Sequence, residues 1–191
     1  MSGAAKQAGF TIIELVVVIL LLGILTATAL PRFLDVTDEA HQAVVDATGA
    51  GIGTGAALFR AQWVALGEPI TAITEFGSVF ANTASGYPVG NVSGITATDD
   101  AGCLLIANGM LQTIGQVTFK VLGGASVAGV GTGVAAAAGS GEDFIANFVS
   151  TDICEYWYVG QSGTDAAATI QLITYDSGDG TILQTTASPA S

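Results

Sequence analysis

The 21 residues from Phe10 to Leu30 constrain this chain most, because all of them are apolar, glycine or threonine except Glu14. At 1.5 Å per residue, a helix of this length spans about 30 Å, the thickness of the hydrocarbon core of a bilayer. A charged side chain in such a segment costs roughly 2.5 to 3.5 kcal/mol on insertion scales, so it is more often functional than accidental. The run predicts a membrane-length helix with Glu14 as its functional residue.

The residues around this run allow two interpretations of the N-terminus. Residues 1–9 form a short polar segment that contains Lys6 and ends in Gly9. Such a segment is typical of a leader peptide. An ordinary secretory signal would instead be cut after the apolar run, where residues 26–29 (Thr-Ala-Thr-Ala) fit the small-residue cleavage pattern. The first interpretation keeps the apolar helix on the mature protein, and the second removes it.

The composition excludes several classes of protein. The chain has 191 residues, so about 125 remain behind a helical N-terminus for one head with its own core. Sixteen acidic residues face four basic ones, for a net charge of -12, and no basic patch with interleaved aromatic residues is present. Such a surface repels phosphate backbones, so we expect no nucleic-acid partner. No phosphate-binding motif and no nucleophile–base constellation is visible, so we expect neither a cofactor nor an enzymatic activity.

Beyond Pro31 the pattern predicts an amphipathic continuation of the helix over residues 32–66. Pro31 removes one backbone hydrogen bond and Gly23 is a second weak point, so the helix is expected to kink or loosen there. Small and apolar residues recur every three or four positions and form one narrow face: Phe33, Val36, Ala40, Ala43, Ala47, Ala50, Thr54, Leu58, Ala61 and Ala65.

Four glycines interrupt this second half of the helix: Gly49, Gly51, Gly53 and Gly55. Each lowers helix propensity by about 1 kcal/mol relative to alanine. Either close packing on a sheet or a break in the helix accounts for them.

Residues 67–191 are predicted to form a β-rich head. Five runs rich in β-branched or aromatic residues predict strands: Val117–Leu122, Phe144–Val149, Glu155–Val159, Thr169–Tyr175 and Thr181–Thr185. Asp176–Gly180 has the composition of a hairpin turn, whereas Leu104–Ile114 fits either a short helix or a strand. Residues 123–141 contain seven glycines and six alanines and predict an exposed loop. The expected architecture is α+β, with one long helix packed on a small antiparallel sheet.

Cys103 and Cys154 are the only cysteines. They form no CxxC pair, and the chain has only one histidine. Two cysteines and one histidine are too few ligands for a structural zinc site, so none is expected. In an exported chain a single disulfide is favoured, and two buried free thiols are the alternative.

The other candidate residues point to packing more than to chemistry. Asp176 and Asp179, near Gly180, weakly suggest a calcium loop but lack its full ligand series, so we expect no metal. Ordinary surface or core positions are expected for the lone histidine and for four aromatic residues: His41, Trp63, Tyr156, Trp157 and Tyr158.

The sequence Gly9-Phe10-Thr11-Ile12-Ile13-Glu14-Leu15, followed by Gly23 and Pro31, resembles the N-terminus of bacterial type IV pilins and of type II secretion pseudopilins. Residues 31–35 and 38–40, with Gly86-Tyr87-Pro88, are similar to the mannose-sensitive haemagglutinin pilin subgroup. This resemblance implies a type IV pilin-like α+β fold.

The resemblance also implies a route from precursor to filament. A prepilin peptidase would cut between Gly9 and Phe10 and methylate the new amine of Phe10. Glu14 would then neutralise the N-terminal ammonium of a neighbouring subunit, while Gly23 and Pro31 let the helix loosen. The chain would start as a single-pass precursor in the inner membrane of a Gram-negative bacterium. The inner-membrane pilus machinery would then build it into an extracellular homopolymer for adhesion, surface attachment or motility.

Two other functions stay open at the level of sequence. A pseudopilin of a type II secretion system shares the leader and the helix, and a calcium site at Asp176 and Asp179 would favour it. A secreted enzyme or binding protein with an ordinary signal peptide is the second alternative.

Overall fold

The computed structural model describes residues 10–90, 100–112, 117–121, 141–150, 152–160 and 170–187. The predicted leader (residues 1–9) and nearly all of the predicted loop at 123–141 lie outside these residues. The elements in chain order are α1 (Ile12–Ala65), a 3-10 turn (Thr74–Phe76), β1 (Phe80–Ala81), β2 (Pro88–Gly90), α2 (Asp100–Leu111), β3 (Phe119–Val121), β4 (Phe144–Ser150), β5 (Ile153–Tyr158), β6 (Ile170–Asp176) and β7 (Ile182–Ala187). The chain divides into two compact units, residues 1–40 and residues 41–191.

Helix α1 is 54 residues long and continues without interruption through Pro31 and all four glycines. The helix break offered above as one explanation of those glycines is therefore wrong. Its segment Ile12–Leu30 is long and apolar enough to cross a bilayer, and none of it is buried among the residues that the structure describes. The apolar side chains of this segment are thus exposed within the part of the chain that the structure describes.

In the second unit, α1 packs on the sheet through a face of large side chains. Val45, Ile52 and Phe59 follow each other at heptad spacing and are at most 2% exposed. Trp63 extends this face, and its indole N–H donates a hydrogen bond to the carbonyl of Pro69 at 3.1 Å. Burial of these large side chains removes their own apolar area from water and holds this part of α1 on the head.

The face of small residues identified in the sequence lies on the opposite side of the helix from these large buried side chains. Val36 and Leu58 are 61% and 60% exposed, and every member of the face whose side chain the structure describes is exposed. At 100° per residue, this face is centred about 150° away from Val45, Ile52 and Phe59. Periodicity identified the face, but only the neighbouring elements decide which side of a helix is buried.

The glycines let α1 lie close to its two flanking elements. A side chain added at Gly55 would collide with the backbone of Met110 in α2. On the other flank, a side chain at Gly49 would meet Gln184 of β7 and one at Gly53 would touch Ile182. Close packing against β7 and α2, rather than a break in the helix, therefore accounts for these glycines.

Among the described residues, the main sheet has five strands in the order β3-β4-β5-β6-β7. The pairs from β4 to β7 are antiparallel, and the short edge strand β3 runs parallel to β4. The α+β fold class is confirmed, with the parallel edge pair as a feature that the sequence did not predict. The core lies between α1, α2 and the inner face of the sheet, where Phe144, Tyr156 and Ile173 are fully buried.

Leu104–Ile114 fitted either a helix or a strand, and the structure places residues 104–111 in α2, while residues 113 and 114 lie outside the described residues. Helix α2 also carries half of the disulfide. Cys103 of α2 is bonded to Cys154 of β5, with 5.6 Å between the two Cα atoms. Next to this bond, the hydroxyl of Tyr156 donates a hydrogen bond to the carbonyl of Cys103 at 2.9 Å. Burial raises the pKa of Tyr156 far above its usual range. The disulfide thus joins α2 to the middle of the sheet within a fully packed core.

Candidate functional site

The first turn of α1 holds Glu14 in place through Thr11. The carboxylate oxygen Oε2 of Glu14 accepts hydrogen bonds from the backbone N–H of Thr11 at 3.1 Å and from its hydroxyl at 2.9 Å. In return, the hydroxyl oxygen of Thr11 accepts the backbone N–H of Glu14 at 3.3 Å. This reciprocal arrangement is a capping box, in which two side chains satisfy backbone donors that the helix itself leaves unpaired.

Thr11 is a functional candidate that the sequence reasoning above missed. The signal was present, because Thr11-Ile12-Ile13-Glu14 matches the Ser/Thr-x-x-Glu pattern that marks a helix start. The capping box fixes the rotamer of Glu14 and places its negative charge at the positive end of the helix dipole. Glu14 therefore stabilises its own helix in addition to any role toward another subunit.

The rest of the apolar segment keeps its polar groups satisfied internally. The hydroxyl of Thr26 donates to the carbonyls of Leu22 and Gly23, at 2.8 and 3.0 Å. The hydroxyl of Thr28 donates to the carbonyl of Leu25 at 3.0 Å. In hydrocarbon, where water is absent, such internal bonds remove the cost of an unpaired hydroxyl.

The other residues predicted at this site lie along the same helix or just before it. Phe10 directly precedes the capping box and is 92% exposed, while Gly9 lies outside the described residues. Gly23 and Pro31 follow Glu14 by roughly 14 and 26 Å along the helix axis. A side chain at Gly23 would meet no atom of the described chain within 4 Å, so packing within the subunit does not require this glycine.

Asp176 and Asp179 lie in the second unit, where they shape the predicted hairpin between β6 and β7. The carboxylate of Asp176 accepts the N–H of Gly178 and that of Asp179 accepts the N–H of Thr181, both at 2.8 Å. Hydrogen bonding from Thr181 lowers the pKa of Asp179. No group of three or more potential metal ligands comes together in the part of the chain that the structure describes, so the calcium hypothesis gains no support here.

His41 and the aromatic residues singled out in the sequence have packing roles. Trp63, Tyr156, Trp157 and Tyr158 are all at most 6% exposed. Nδ1 of His41 lies 2.7 Å from the hydroxyl oxygen of Tyr158, so this hydrogen bond ties α1 to β5. Burial and the nearby charge of Asp143 raise the pKa of Tyr158.

Comparison with known proteins finds relatives of this N-terminal segment and of the chain. The family model of the prokaryotic N-terminal methylation motif matches residues 4–30. The "Type IV narrow pilus major component PilA5" of Thermus thermophilus is 46% identical over 86 residues, which cover 45% of this chain and 68% of that protein. The "Type IV major fimbrial protein FimA" of Dichelobacter nodosus is 32% identical over 102 residues, which cover 51% of this chain. The match spans 63% of FimA, just under two thirds of its length.

No solved structure matched this chain. The similarity to the mannose-sensitive haemagglutinin subgroup stays a prediction, because the matched relatives do not define a subgroup. The methylation motif, the apolar helix of membrane length, the α+β fold and the identity with PilA5 agree with one another. The chain belongs to the type IV pilin family.

Proposed function

We propose that this chain is a structural subunit of an extracellular type IV pilus, assembled through the N-terminal half of α1. The observation that carries the proposal is the single carboxylate of Glu14 at the start of the apolar segment Ile12–Leu30, which is exposed within the described part of the chain. The names of the relatives PilA5 and FimA describe major components of pili and fimbriae, which supports a structural role rather than an enzymatic one.

Processing comes first in this proposal. A prepilin peptidase cuts between Gly9 and Phe10 and methylates the amine of Phe10. Cleavage there removes the leader, keeps the helix and creates an ammonium group on Phe10, four residues before Glu14. The role of the Glu14 carboxylate therefore depends on the cleavage site, because only this cut produces the positive charge that Glu14 can neutralise.

Glu14 then sets the register between subunits. Its Oε2 is occupied by Thr11, and among the described residues no group donates a hydrogen bond to Oε1. The second oxygen can therefore accept the ammonium of a neighbouring Phe10 while the first keeps the helix capped. An unpaired charge in an apolar filament core is strongly unfavourable, and pairing it removes most of that cost.

The same helix serves before and after assembly. As a precursor, the chain is a single-pass protein of the inner membrane of a Gram-negative bacterium, anchored by Ile12–Leu30. After extraction by the pilus machinery, burial of the apolar side chains among neighbouring helices drives cohesion at about 25 cal/mol per Å². Gly23 and Pro31 are the points where the helix loosens during this transfer, and the finished filament serves adhesion, surface attachment or motility.

The experiment that tests this proposal separates the charge of Glu14 from its capping role. Glutamine can also close a capping box, so Glu14→Gln keeps the acceptor for Thr11 and removes only the charge. We expect Glu14→Gln to lower the amount of sheared surface filaments at least about tenfold, because the ammonium loses its partner. Immunoblots of the membrane fraction should show an unchanged amount of subunit. Filaments of normal number in Glu14→Gln cells would contradict the assembly role of the charge.

A further inference from the structure

The main sheet ends in two open edges, and β7 is the less protected of the two. Among the described residues, β3 and β7 each pair with one strand only. Residues 181–187 contain no charged residue and no proline, and the register between β6 and β7 has no bulge. Four consecutive residues of β7 are exposed: Leu183, Gln184, Thr185 and Thr186. Charges, prolines and bulges are the usual means of keeping an edge strand unpaired, so β7 is free to accept another strand.

The two edges of the sheet carry charges of opposite sign. Lys120 lies in the middle of β3, where it pairs with Glu142 at 3.3 Å and keeps 49% of its side chain exposed. The turn that leads into β7 carries Asp176 and Asp179, and Asp179 is exposed. Basic residues are scarce in this chain, with four against sixteen acidic ones. The β3 edge of one copy therefore complements the β7 edge of another in charge.

Strand direction also allows these two edges to pair between copies. Strand β3 is parallel to β4, and three antiparallel steps lead from β4 to β7, so β3 and β7 run in opposite directions. In a filament whose subunits share one direction and turn their helices inward, β7 of one copy and β3 of the next are antiparallel. Such a contact joins two different surfaces, so it repeats from copy to copy without closing, as a filament requires.

We infer that β7 of one subunit pairs in antiparallel fashion with β3 of a second copy of this chain. The inference rests on the proposed function, because it requires subunits that share one direction. Phe119 packs on the core and Gln184 faces α1, so their neighbours Lys120 and Leu183 lie on the other face of the sheet. With these two residues opposite each other, the alkyl stem of Lys120 covers Leu183, which is 56% exposed, and its ammonium lies near the turn at Asp179.

Carbodiimide cross-linking of wild-type filaments tests this inference, because Lys120 is the only lysine of the chain once residues 1–9 are removed. The reagent joins an amine directly to a carboxylate that it contacts. Within one chain, β3 and β7 are four strand spacings apart, about 19 Å, so a link from Lys120 to Asp176 or Asp179 forms only between copies. We expect mass spectrometry of digested filaments to show this link, and subunits dispersed in detergent to lack it. Filaments in which Lys120 is joined only to other carboxylates, such as Glu142, or to none would overturn the inference.

A pair of introduced cysteines tests the strand pairing itself. Opposite residues of antiparallel strands have Cα atoms about 4.5 to 5.5 Å apart, within reach of a disulfide. The two native cysteines are bonded to each other, so Lys120→Cys combined with Leu183→Cys should give a ladder of multimers after oxidation of filaments. In the control, Lys120→Cys is combined with Gln184→Cys, which is exposed on the other face, and the chains should stay monomeric on a non-reducing gel.

Filaments of the first variant without a ladder, or an equal ladder in the control, would overturn the inference. If the cysteine variants do not assemble, the carbodiimide result on wild-type filaments decides. Absence of the wild-type chain from sheared filaments would instead overturn the proposed function, which is a distinguishable result.

Discussion

The carboxylate of Glu14 and the hydroxyl of Thr11 lie 2.9 Å apart and close the first turn of α1. The acid that is proposed to recognise a neighbouring subunit is thus already oriented before any neighbour arrives. Preorganisation of this kind reduces the entropy lost on binding, because the rotamer of Glu14 is fixed in advance. The relationship also means that substitutions at Glu14 disturb two functions unless they preserve the cap.

Thr11 offers a way to disturb the cap and leave the charge in place. Loss of an N-cap hydroxyl costs about 1 kcal/mol, so Thr11→Ala should raise amide hydrogen exchange in the first turn of α1 by about fivefold. The measurement is exchange followed by mass spectrometry on the processed chain in detergent. Thr11→Ser is the control, because it keeps the hydroxyl and should exchange at the wild-type rate. Equal exchange in the alanine and serine variants would show that the cap does not hold the helix start.

Alanine substitutions at Gly55 and Gly49 test how closely α1 packs on its two neighbouring elements. A methyl group at Gly55 meets the backbone of Met110, which cannot move without shifting α2, whereas one at Gly49 meets only the flexible end of Gln184. Gly55→Ala should therefore destabilise the second unit by about 1 to 3 kcal/mol. Gly49→Ala should be neutral or stabilising by up to about 1 kcal/mol, since alanine is the better helix former. Urea unfolding of the whole chain in detergent, followed by the fluorescence of Trp63 and Trp157, measures both, and equal midpoints for the two variants would contradict this packing.

The disulfide should contribute much of the stability of the second unit. Cys103 and Cys154 are separated by 51 positions, and a ring of this size restricts the unfolded chain by about 4 kcal/mol on chain-entropy estimates. Both residues are at most 1% exposed, so dithiothreitol should reduce the bond only when denaturant is also present. Alkylation and mass spectrometry with and without urea check this, and rapid reduction of the folded chain would show that the bond is accessible.

Buried tyrosines predict that the second unit loses stability in alkali. Burial raises the pKa of Tyr156 and Tyr175 above the usual value of 10.0, and neighbouring tyrosine and aspartate side chains add to the shift at Tyr175. The folded state therefore keeps these protons when the unfolded state has lost them. Stability is fully present below about pH 10 and falls above it by about 1.4 kcal/mol per pH unit for each such tyrosine.

Tyr175→Phe is the variant that checks the alkaline effect. In the wild type, the hydroxyl of Tyr175 donates a hydrogen bond to the carbonyl of Pro88 at 3.0 Å. The variant loses this bond and should be less stable at neutral pH by about 1 to 3 kcal/mol. The slope of unfolding free energy against pH above 10 should nevertheless be shallower than in the wild type. An unchanged slope would indicate that Tyr175 does not keep its proton in the folded state.

The sequence predicted the five strands of the main sheet, β3 to β7, because each lies in a run rich in β-branched and aromatic residues between turn-forming residues. It did not predict the short strands β1 and β2, which lack such a run. The turn at Asp176–Gly180 was predicted in the same way, from its aspartate and glycine residues. Gly180 has a φ of +77° there, and a side chain at this position would collide with the ring of Tyr87. The parallel pairing of β3 was not predictable, because strand direction depends on where the chain returns to the sheet and not on composition.

The buried face of α1 shows what periodicity alone leaves undecided. The alanines at 40, 43, 47, 50, 61 and 65 repeat as regularly as Val45, Ile52 and Phe59, so both sets form helical faces. Which set packs on the sheet depends on the apolar area that it buries, and the large side chains bury more. At the candidate site, Glu14 stood out by its charge, whereas Thr11 looked ordinary until its hydrogen bonds to Glu14 were visible.

The measurement that tests the account most directly is the mass of the N-terminal peptide of the subunit in sheared filaments. We expect a peptide that begins at Phe10 and carries one added methyl group on its amine. Such a peptide would show that the cut follows Gly9, that the apolar helix is kept, and that the ammonium required by Glu14 exists. A mature chain that begins at Leu30 would contradict the account, because the helix, the carboxylate and its partner charge would all have been removed.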